Sequence, residues 1–131
     1  MGGKVIGGLG TDLVRVARFR RFLEEGKTAL LERLFTMAER DYAFSKRDPA
    51  PHLAARFAAK ESFSKALGTG FRDGLSWQEI EVVHDPLGKP ELVLKGRAAA
   101  MCQERGLSSL FLSLSHDGDY ALAVVVAEKE P

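Results

Sequence analysis

The sequence has one cysteine, almost no net charge and no long apolar run, and each shortage excludes a class of protein. Cys102 cannot form an intrachain disulfide and has no cysteine partner for a zinc site, so a reducing, cytoplasmic location is expected. Lys and Arg number 19 against 18 Asp and Glu, and a net charge of +1 does not favour binding of extended nucleic acid. Every apolar stretch is shorter than the roughly 18 residues of a membrane span, and no export signal or membrane anchor is expected.

The composition is otherwise that of a globular protein, with 45% hydrophobic and 28% charged residues among 131. This length favours one domain with one core, spanning residues 1–131. A short apolar run with three glycines predicts a strand at Lys4–Leu13. Period-two patterns and turns after Gly68 predict strands at Ile80–Val83, Glu91–Leu94, Leu110–His116 and Tyr120–Ala127. Helical spacing predicts helices at Val14–Glu25, Thr28–Leu34, Met37–Lys46, His52–Leu67 and Arg97–Arg105. We therefore expect an α+β fold in which a mainly antiparallel sheet is covered by helices on one side.

The sequence does not support a dinucleotide-binding loop or a serine hydrolase triad. The glycines of Gly8–Gly10 would need a third glycine at position 13 to form a dinucleotide-binding loop, and Leu13 stands there. Ser115–Asp117 contains the three residue types of a hydrolase triad, but neighbours on a strand point to opposite faces and cannot form its chain of hydrogen bonds. The glycines instead suit a strand that another backbone or a ligand approaches closely.

The predicted helix His52–Leu67 carries the most informative charges. Glu61 and Lys65 are four residues apart and share one face with Phe57, while Arg56 lies on the adjoining face. A solvated Glu61–Lys65 ion pair would explain this spacing without any function, and Asp12 could be a simple turn or cap residue. If the fold brings Asp12 and Glu61 together, however, two carboxylates are a suitable protein contribution to a Mg²⁺ site completed by water and phosphate oxygens.

His116 continues the strand face of Leu110, Leu112 and Leu114. It is either a histidine at the edge of the core or a group placed at a strand end to contact an anionic ligand. Four arginines without an intervening acid stand between Asp12 and Glu24, namely Arg15, Arg18, Arg20 and Arg21. They form either a solvated face or a docking surface for an acidic protein.

Four segments resemble one known family. They read GLGTDLVRVAR at Gly8–Arg18, RFAAKESFSKALGTGFRDGLSW at Arg56–Trp77, GKP at Gly88–Pro90 and LSLSHDGDYALAVVV at Leu112–Val126. Together they cover about two fifths of the chain and are similar, in the same order, to the holo-[acyl-carrier-protein] synthase family. The resemblance implies transfer of the 4′-phosphopantetheine arm of coenzyme A to a serine of apo-acyl carrier protein, with release of adenosine 3′,5′-bisphosphate.

The resemblance also implies roles for individual residues. The family's metal ligands fall on Asp12 and Glu61, its pyrophosphate lysine on Lys65 and its strand-end histidine on His116. Catalysis would involve Glu61, Lys65 and His116. Glu61, directly or through a metal-bound water, is the first candidate to accept the serine proton. Mg²⁺ is the expected cofactor, with coenzyme A as co-substrate.

Further positions match the parts of the family that hold coenzyme A or the carrier. Contacts to coenzyme A are expected from Arg56, Lys65, Gly88, Lys89, Pro90 and His116. Contacts to the acidic carrier helix are expected from Arg18, Arg21 and Phe57. The family resemblance further implies a homotrimer with active sites between protomers and a role in fatty acid biosynthesis.

Two alternatives from other classes use the same residues. A Mg²⁺-dependent phosphodiesterase would use Asp12 and Glu61 with water as the nucleophile. A non-catalytic adaptor would bind an acidic protein through Arg15–Phe22. Neither alternative requires the segment Arg56–Trp77, so the sequence favours group transfer.

Overall fold

A computed structural model describes residues 3–131, so residues 1 and 2 of the expected domain lie outside the described part. In chain order the first half contains β1 (Val5–Arg15), α1 (Val16–Glu24), α2 (Thr28–Leu34), α3 (Met37–Phe44) and α4 (Pro49–Leu67). A 3₁₀ turn at Trp77–Glu79 leads into β2 (Ile80–His84), β3 (Pro90–Leu94), α5 (Gly96–Glu104), β4 (Leu107–Asp117) and β5 (Tyr120–Lys129). The α+β class and the antiparallel pairing are thus confirmed.

The strands of the described residues form two sheets instead of the expected one. One sheet has the order β1-β5-β4 and the other contains only β2 and β3, with every pair antiparallel. Each hairpin follows from local alternation and its turn, as predicted. Tertiary packing decides whether two hairpins join into one sheet. The pattern of apolar residues along a strand does not predict it.

β1 extends beyond its predicted end at Leu13, and Asp12 lies within it. The reason is its partner: the register with β5 runs from Asp12 opposite Ala123 to Arg15 opposite Tyr120. Helix α1 accordingly begins at Val16, two residues later than predicted. The backbone of Asp12 is therefore held by the β1–β5 pairing, more firmly than it would be in a loop.

Helix α4 is the centre of the core. It begins at Pro49, three residues before its predicted start, because proline is well suited to the first turn of a helix, and it ends at Gly68, whose φ is 81°. β1 approaches it closely at Gly8 and Gly10, where a Cβ would collide with carbonyl oxygens of α4. This confirms the expectation that the glycines mark a close backbone approach.

A buried ion pair connects α4 to its neighbours. Lys60 Nζ donates to Glu39 Oε1 at 2.7 Å and to the carbonyl oxygens of Leu34 and Trp77 at 2.9 Å each. Glu39 Oε2 accepts from the backbone N–H of Val82 at 2.8 Å. Both charged side chains are fully buried, and all three ammonium donors are satisfied, so α4 is fixed relative to α2, α3 and the 3₁₀ turn.

Within residues 3–131, none of the helices has both the length and the apolar character required to cross a bilayer.

Candidate active site

Asp12 and Lys65 meet where β1 passes under the last turns of α4. Lys65 Nζ donates to Asp12 Oδ1 at 3.0 Å and to the carbonyl oxygen of Thr11 at 3.0 Å. The Asp12 side chain is 17% exposed and that of Lys65 is 51% exposed, so the lysine covers the carboxylate from the solvent side. Among the described residues the ion-pair partner of Lys65 is Asp12 and not Glu61, which excludes the simple intrahelical pair considered from the sequence.

Glu61 stands one turn before Lys65 on the same face of α4 and is partly buried. Burial raises the pKa of its carboxyl, and the nearby charge of Asp12 raises it further, while Lys65 and Arg18 oppose the shift. The two carboxylates predicted to meet therefore lie close enough to repel each other. A hard divalent cation accepts such a pair of oxygen ligands and removes the repulsion.

The donor set fits Mg²⁺ better than a transition metal. No group of three or more His, Cys, Asp and Glu side chains with metal-site spacing occurs in residues 3–131. Two carboxylates without imidazole or thiolate are hard oxygen donors, and Mg²⁺ normally keeps waters or substrate phosphates as its other ligands. Asp12 and Glu61 are thus of the chemical type that Mg²⁺ takes from a protein.

The predicted docking residues lie beside this site. The Arg18 guanidinium stands 5.0 Å from the centroid of the Phe57 ring, and Arg21 is exposed one turn further along α1. Phe57 itself is only 8% exposed. Arg20 points elsewhere and makes a bidentate ion pair with Asp48 at 2.9 and 3.2 Å, so the cluster of arginines seen in the sequence is divided between two surfaces.

A second cluster surrounds Tyr42 on α3. The Tyr42 ring stacks on His84 with 4.7 Å between centroids, and the Arg56 guanidinium lies 4.1 Å from the Tyr42 centroid. His52 packs edge-on against Tyr42 at 5.9 Å and against His116 at 5.7 Å. All three histidines of the chain therefore belong to one cluster, and His116 is exposed at a strand end and not part of the core.

Cationic side chains adjoin this histidine cluster. Burial lowers the pKa of His52 and of His84, and the charge of Arg56 lowers both further. Arg56 is 2% exposed, and within residues 3–131 its Nε has no hydrogen-bond partner. Lys46 adds a further cation 4.6 Å from the Tyr42 ring. Such a group of cations and imidazole rings suits an anionic ligand.

The predicted GKP segment forms the turn between β2 and β3, next to His84. Asp85 Oδ1 accepts from the backbone N–H groups of Leu87 and Lys89 at 2.9 and 2.8 Å. Gly88 has φ 89°, a left-handed conformation that favours glycine. The turn is thereby fixed, and it leads into Pro90, the first residue of β3.

The two clusters lie on different sides of one chain. Asp12 is on β1 and His116 on β4, the opposite edges of a three-stranded sheet, so their backbones are about 10 Å apart across it. At 100° per residue, Arg56 is rotated by about 140° and His52 by about 180° from Glu61 around α4. Helix α4 therefore separates the carboxylates from the histidine cluster.

Several residues of the second cluster were missed from the sequence. Tyr42, Lys46, His52 and His84 come from α3, the α3–α4 connection, α4 and β2. None of them forms a local motif, and no sequence signal could have joined them before the fold was known. Of the residues in this cluster, Arg56 and His116 were named from the sequence.

Comparisons with known proteins identify the family of this chain. Residues 8–125 match the model of the 4′-phosphopantetheinyl transferase superfamily. A holo-[acyl-carrier-protein] synthase from Syntrophotalea carbinolica is 63% identical over 123 residues, which are 94% of this chain and 96% of that protein. A second synthase, from Geotalea daltonii, is 54% identical over 95% of this chain and all of its own length.

Solved structures are similar over nearly the whole chain. A holo-[acyl-carrier-protein] synthase from Neisseria meningitidis superimposes with a TM-score of 0.86 and 42% identity, covering 95% of this chain and 100% of that one. The Helicobacter pylori synthase, solved in complex with coenzyme A, gives a TM-score of 0.79 at 32% identity, covering 91% of this chain and 98% of its own. The family match and these similarities lead to one conclusion: the chain belongs to the 4′-phosphopantetheinyl transferase superfamily.

Proposed function

We propose that this protein transfers the 4′-phosphopantetheine arm of coenzyme A to a serine of apo-acyl carrier protein. The observation that carries the proposal is the convergence of Asp12, Glu61 and Lys65 between β1 and α4, in a chain of this superfamily. A phosphodiesterase would need only the carboxylates. The family match and the arginine surface beside them favour a protein acceptor over water.

The reaction is a displacement at one phosphorus of the coenzyme A pyrophosphate. The serine oxygen forms a bond to the phosphorus that carries the pantetheine arm. The bond from that phosphorus to the bridging oxygen breaks, and adenosine 3′,5′-bisphosphate leaves with the bridging oxygen. Glu61, on the same face of α4 as Lys65, is the proposed acceptor of the serine proton. Lys65 stabilises the negative charge on the leaving phosphate.

Asp12 and Glu61 are the residues that would hold Mg²⁺. When bound, Mg²⁺ neutralises charge on the phosphate oxygens and orients the diphosphate. For this to happen the Lys65 ammonium gives up its bond to Asp12, and half of its side chain is already exposed and free to turn toward a phosphate. The lysine remains anchored by the carbonyl oxygen of Thr11.

The nucleotide end of coenzyme A is assigned to the histidine cluster. Arg56 and His116 supply the cationic and donor groups there, and the turn with Gly88, Lys89 and Pro90 forms its rim. An anion accepted by this cluster relieves the mutual repulsion of its cations. This assignment rests on the cluster's charge and on the resemblance.

The two halves lie on different sides of α4, which favours an active site shared by two copies of the chain. The outward face of the three-stranded sheet is apolar enough to pack copies together. It includes Leu9 and Leu13, which are 63% and 61% exposed, together with Phe111 and Leu122 at 50% and 38%. We propose that this face packs around a threefold axis in a homotrimer, so that each carboxylate site lies next to a neighbour's histidine cluster.

Mass spectrometry tests the reaction. Incubating the protein with coenzyme A, Mg²⁺ and an apo-carrier is expected to increase the carrier mass by one phosphopantetheine arm. Asp12→Asn, which keeps the side-chain shape and removes the charge, is the matched control and is expected to leave the carrier unmodified. Release of a nucleotide without a heavier carrier would favour the phosphodiesterase, and binding without either product would favour the adaptor.

Complementation tests the shared site. Asp12→Asn disables the carboxylate half of the active site, and His116→Ala disables the half that contains the histidine cluster. The two variants are refolded together in equal amounts. If each site combines two copies, random assembly gives both intact halves in about a quarter of all sites, so activity returns to a measurable fraction of wild type. Sites built within one copy would give no recovery. The cytoplasmic location and the role in fatty acid biosynthesis stay predictions.

A further inference from the structure

Three aromatic rings form a continuous stack beside the carboxylate site. Phe71, in the loop after α4, stacks on Trp77 with 3.6 Å between centroids and 21° between planes. Trp77 stacks in turn on Phe57 of α4 at 5.1 Å and 19°. We call these three residues the aromatic stack. Its rings are nearly parallel, which is a directional arrangement that general hydrophobic burial does not require.

The inner end of the stack is held by the core. Phe57 also contacts Phe19 of α1, with 5.4 Å between centroids, and Lys60 Nζ donates to the carbonyl oxygen of Trp77 at 2.9 Å. Because Lys60 is fully buried and its other two donors are bound, the backbone at Trp77 is fixed relative to α4. The ring of Phe57 therefore has a defined position and orientation.

Arg18 covers the solvent side of the aromatic stack at Phe57. Its guanidinium lies 5.0 Å from the Phe57 ring centroid, within the range of a cation–π contact, although the residue as a whole is exposed. Phe57 is one turn before Glu61 on the same face of α4. The stack thus contacts an exposed cationic side chain at the border between the α1 surface and the carboxylates.

We propose that Phe57, supported by the aromatic stack, is a positioning residue that acts on the carrier reaction through Arg18. The inference rests on the proposed function, in which Arg18 meets the acidic carrier. A free arginine loses rotamer entropy when it docks, and a guanidinium already held on a ring loses less. Phe57 has little exposed surface of its own to offer a carrier, since it is 8% exposed.

A double-mutant cycle separates this role from direct contact and from stability. Carrier KM, coenzyme A KM and kcat are measured for wild type, Phe57→Leu, Arg18→Gln and the double variant. Phe57→Leu is expected to raise carrier KM about two- to fivefold, the factor that an exposed cation–π contact is worth, with little change in coenzyme A KM. In the Arg18→Gln background the same change should have almost no effect. Equal effects in both backgrounds would overturn the proposal.

Three further variants make the cycle decisive. Phe57→Tyr keeps the ring and is expected to restore wild-type carrier KM. Arg18→Lys keeps the charge on an exposed side chain, yet loses planar stacking, and should raise carrier KM two- to threefold. Tyr120→Leu removes the ring 5.5 Å from Arg15 and should leave carrier KM unchanged. A wild-type KM for Arg18→Lys, or a rise for Tyr120→Leu equal to that for Phe57→Leu, would overturn the proposal.

Failure of the proposed function is distinguishable from failure of this inference. If the wild-type protein adds no arm to the carrier, the proposed function falls and the inference falls with it. If transfer occurs and the cycle is additive, the inference alone is wrong. An NMR measurement provides a readout besides activity: the Arg18 side-chain protons should show a ring-current shift that Phe57→Leu abolishes and Phe57→Tyr retains.

Discussion

The substitution Lys65→Met separates a chemical role of the lysine from a structural one. It removes the ammonium that bonds Asp12 Oδ1 and the Thr11 carbonyl at 3.0 Å and keeps most of the apolar stem. A structural role predicts a change in stability alone. A role at the pyrophosphate predicts a loss of rate much larger than the loss of stability.

The structure limits how much the Lys65–Asp12 ion pair can contribute to the free energy of unfolding. Two unit charges 3.0 Å apart attract by about 1.4 kcal/mol in water, while ordering a lysine side chain costs up to about 2 kcal/mol. Because the Lys65 side chain is 51% exposed, the net value of the ion pair is a few tenths to about 1 kcal/mol. A role in stabilising the leaving phosphate should slow the chemical step by more than tenfold, or about 1.4 kcal/mol.

The assay is transfer to the carrier, measured both at steady state and in single turnover, together with thermal unfolding. We expect kcat to fall more than coenzyme A affinity, since the lysine's benefit grows as the leaving phosphate gains charge. Arg20→Met is the matched control, because it removes an exposed ion pair with Asp48 of similar length on another surface. It should leave kcat unchanged. A wild-type kcat for Lys65→Met would refute the catalytic role.

Three other predictions concern charge and assembly. In metal-free buffer, Glu61→Gln should raise the melting temperature at pH 7. Burial and Asp12 raise the pKa of the Glu61 carboxyl, so the stability of the wild type falls as pH rises through that pKa. The gain in melting temperature should shrink toward pH 4, and a gain independent of pH would contradict the prediction. Arg18→Gln should raise carrier KM and weaken the dependence of that KM on salt. Arg20→Gln should do neither, because Arg20 is paired with Asp48. Equal effects of the two variants would place docking on the whole basic surface. Leu122→Asp should give a folded monomer, seen by light scattering, with little transfer activity, seen by mass spectrometry of the carrier. An active trimer would exclude the apolar sheet face as the interface.

Much of the fold was predictable because its signals are local. The spacing of apolar residues predicted five helices and five strands in their correct order, since helix and strand periods are properties of short segments. Gly8 and Gly10 indicated the close approach of another backbone, which α4 provides. The boundaries of β1 and α4 were wrong by two or three residues, because a partner strand and a first-turn proline decided them.

The candidate site was predictable in its residue types and only partly in its arrangement. A resemblance over four segments named Asp12, Glu61 and Lys65, and their roles stay predictions. The sequence offered an ion pair between Glu61 and Lys65, but Lys65 binds Asp12, which is 53 residues away. A spacing of four residues permits a contact along a helix and does not exclude a stronger acceptor on a neighbouring strand.

The sequence by itself determined the family, the elements and the chemical types at the site. Tertiary structure alone decided that the strands divide into two sheets and that Lys60 and Glu39 pair inside the core. It also decided that the carboxylates and the histidine cluster lie on different sides of α4. The reason is physical: local patterns fix what each segment becomes, whereas the partner of an edge strand or a buried charge depends on which surfaces packing brings together.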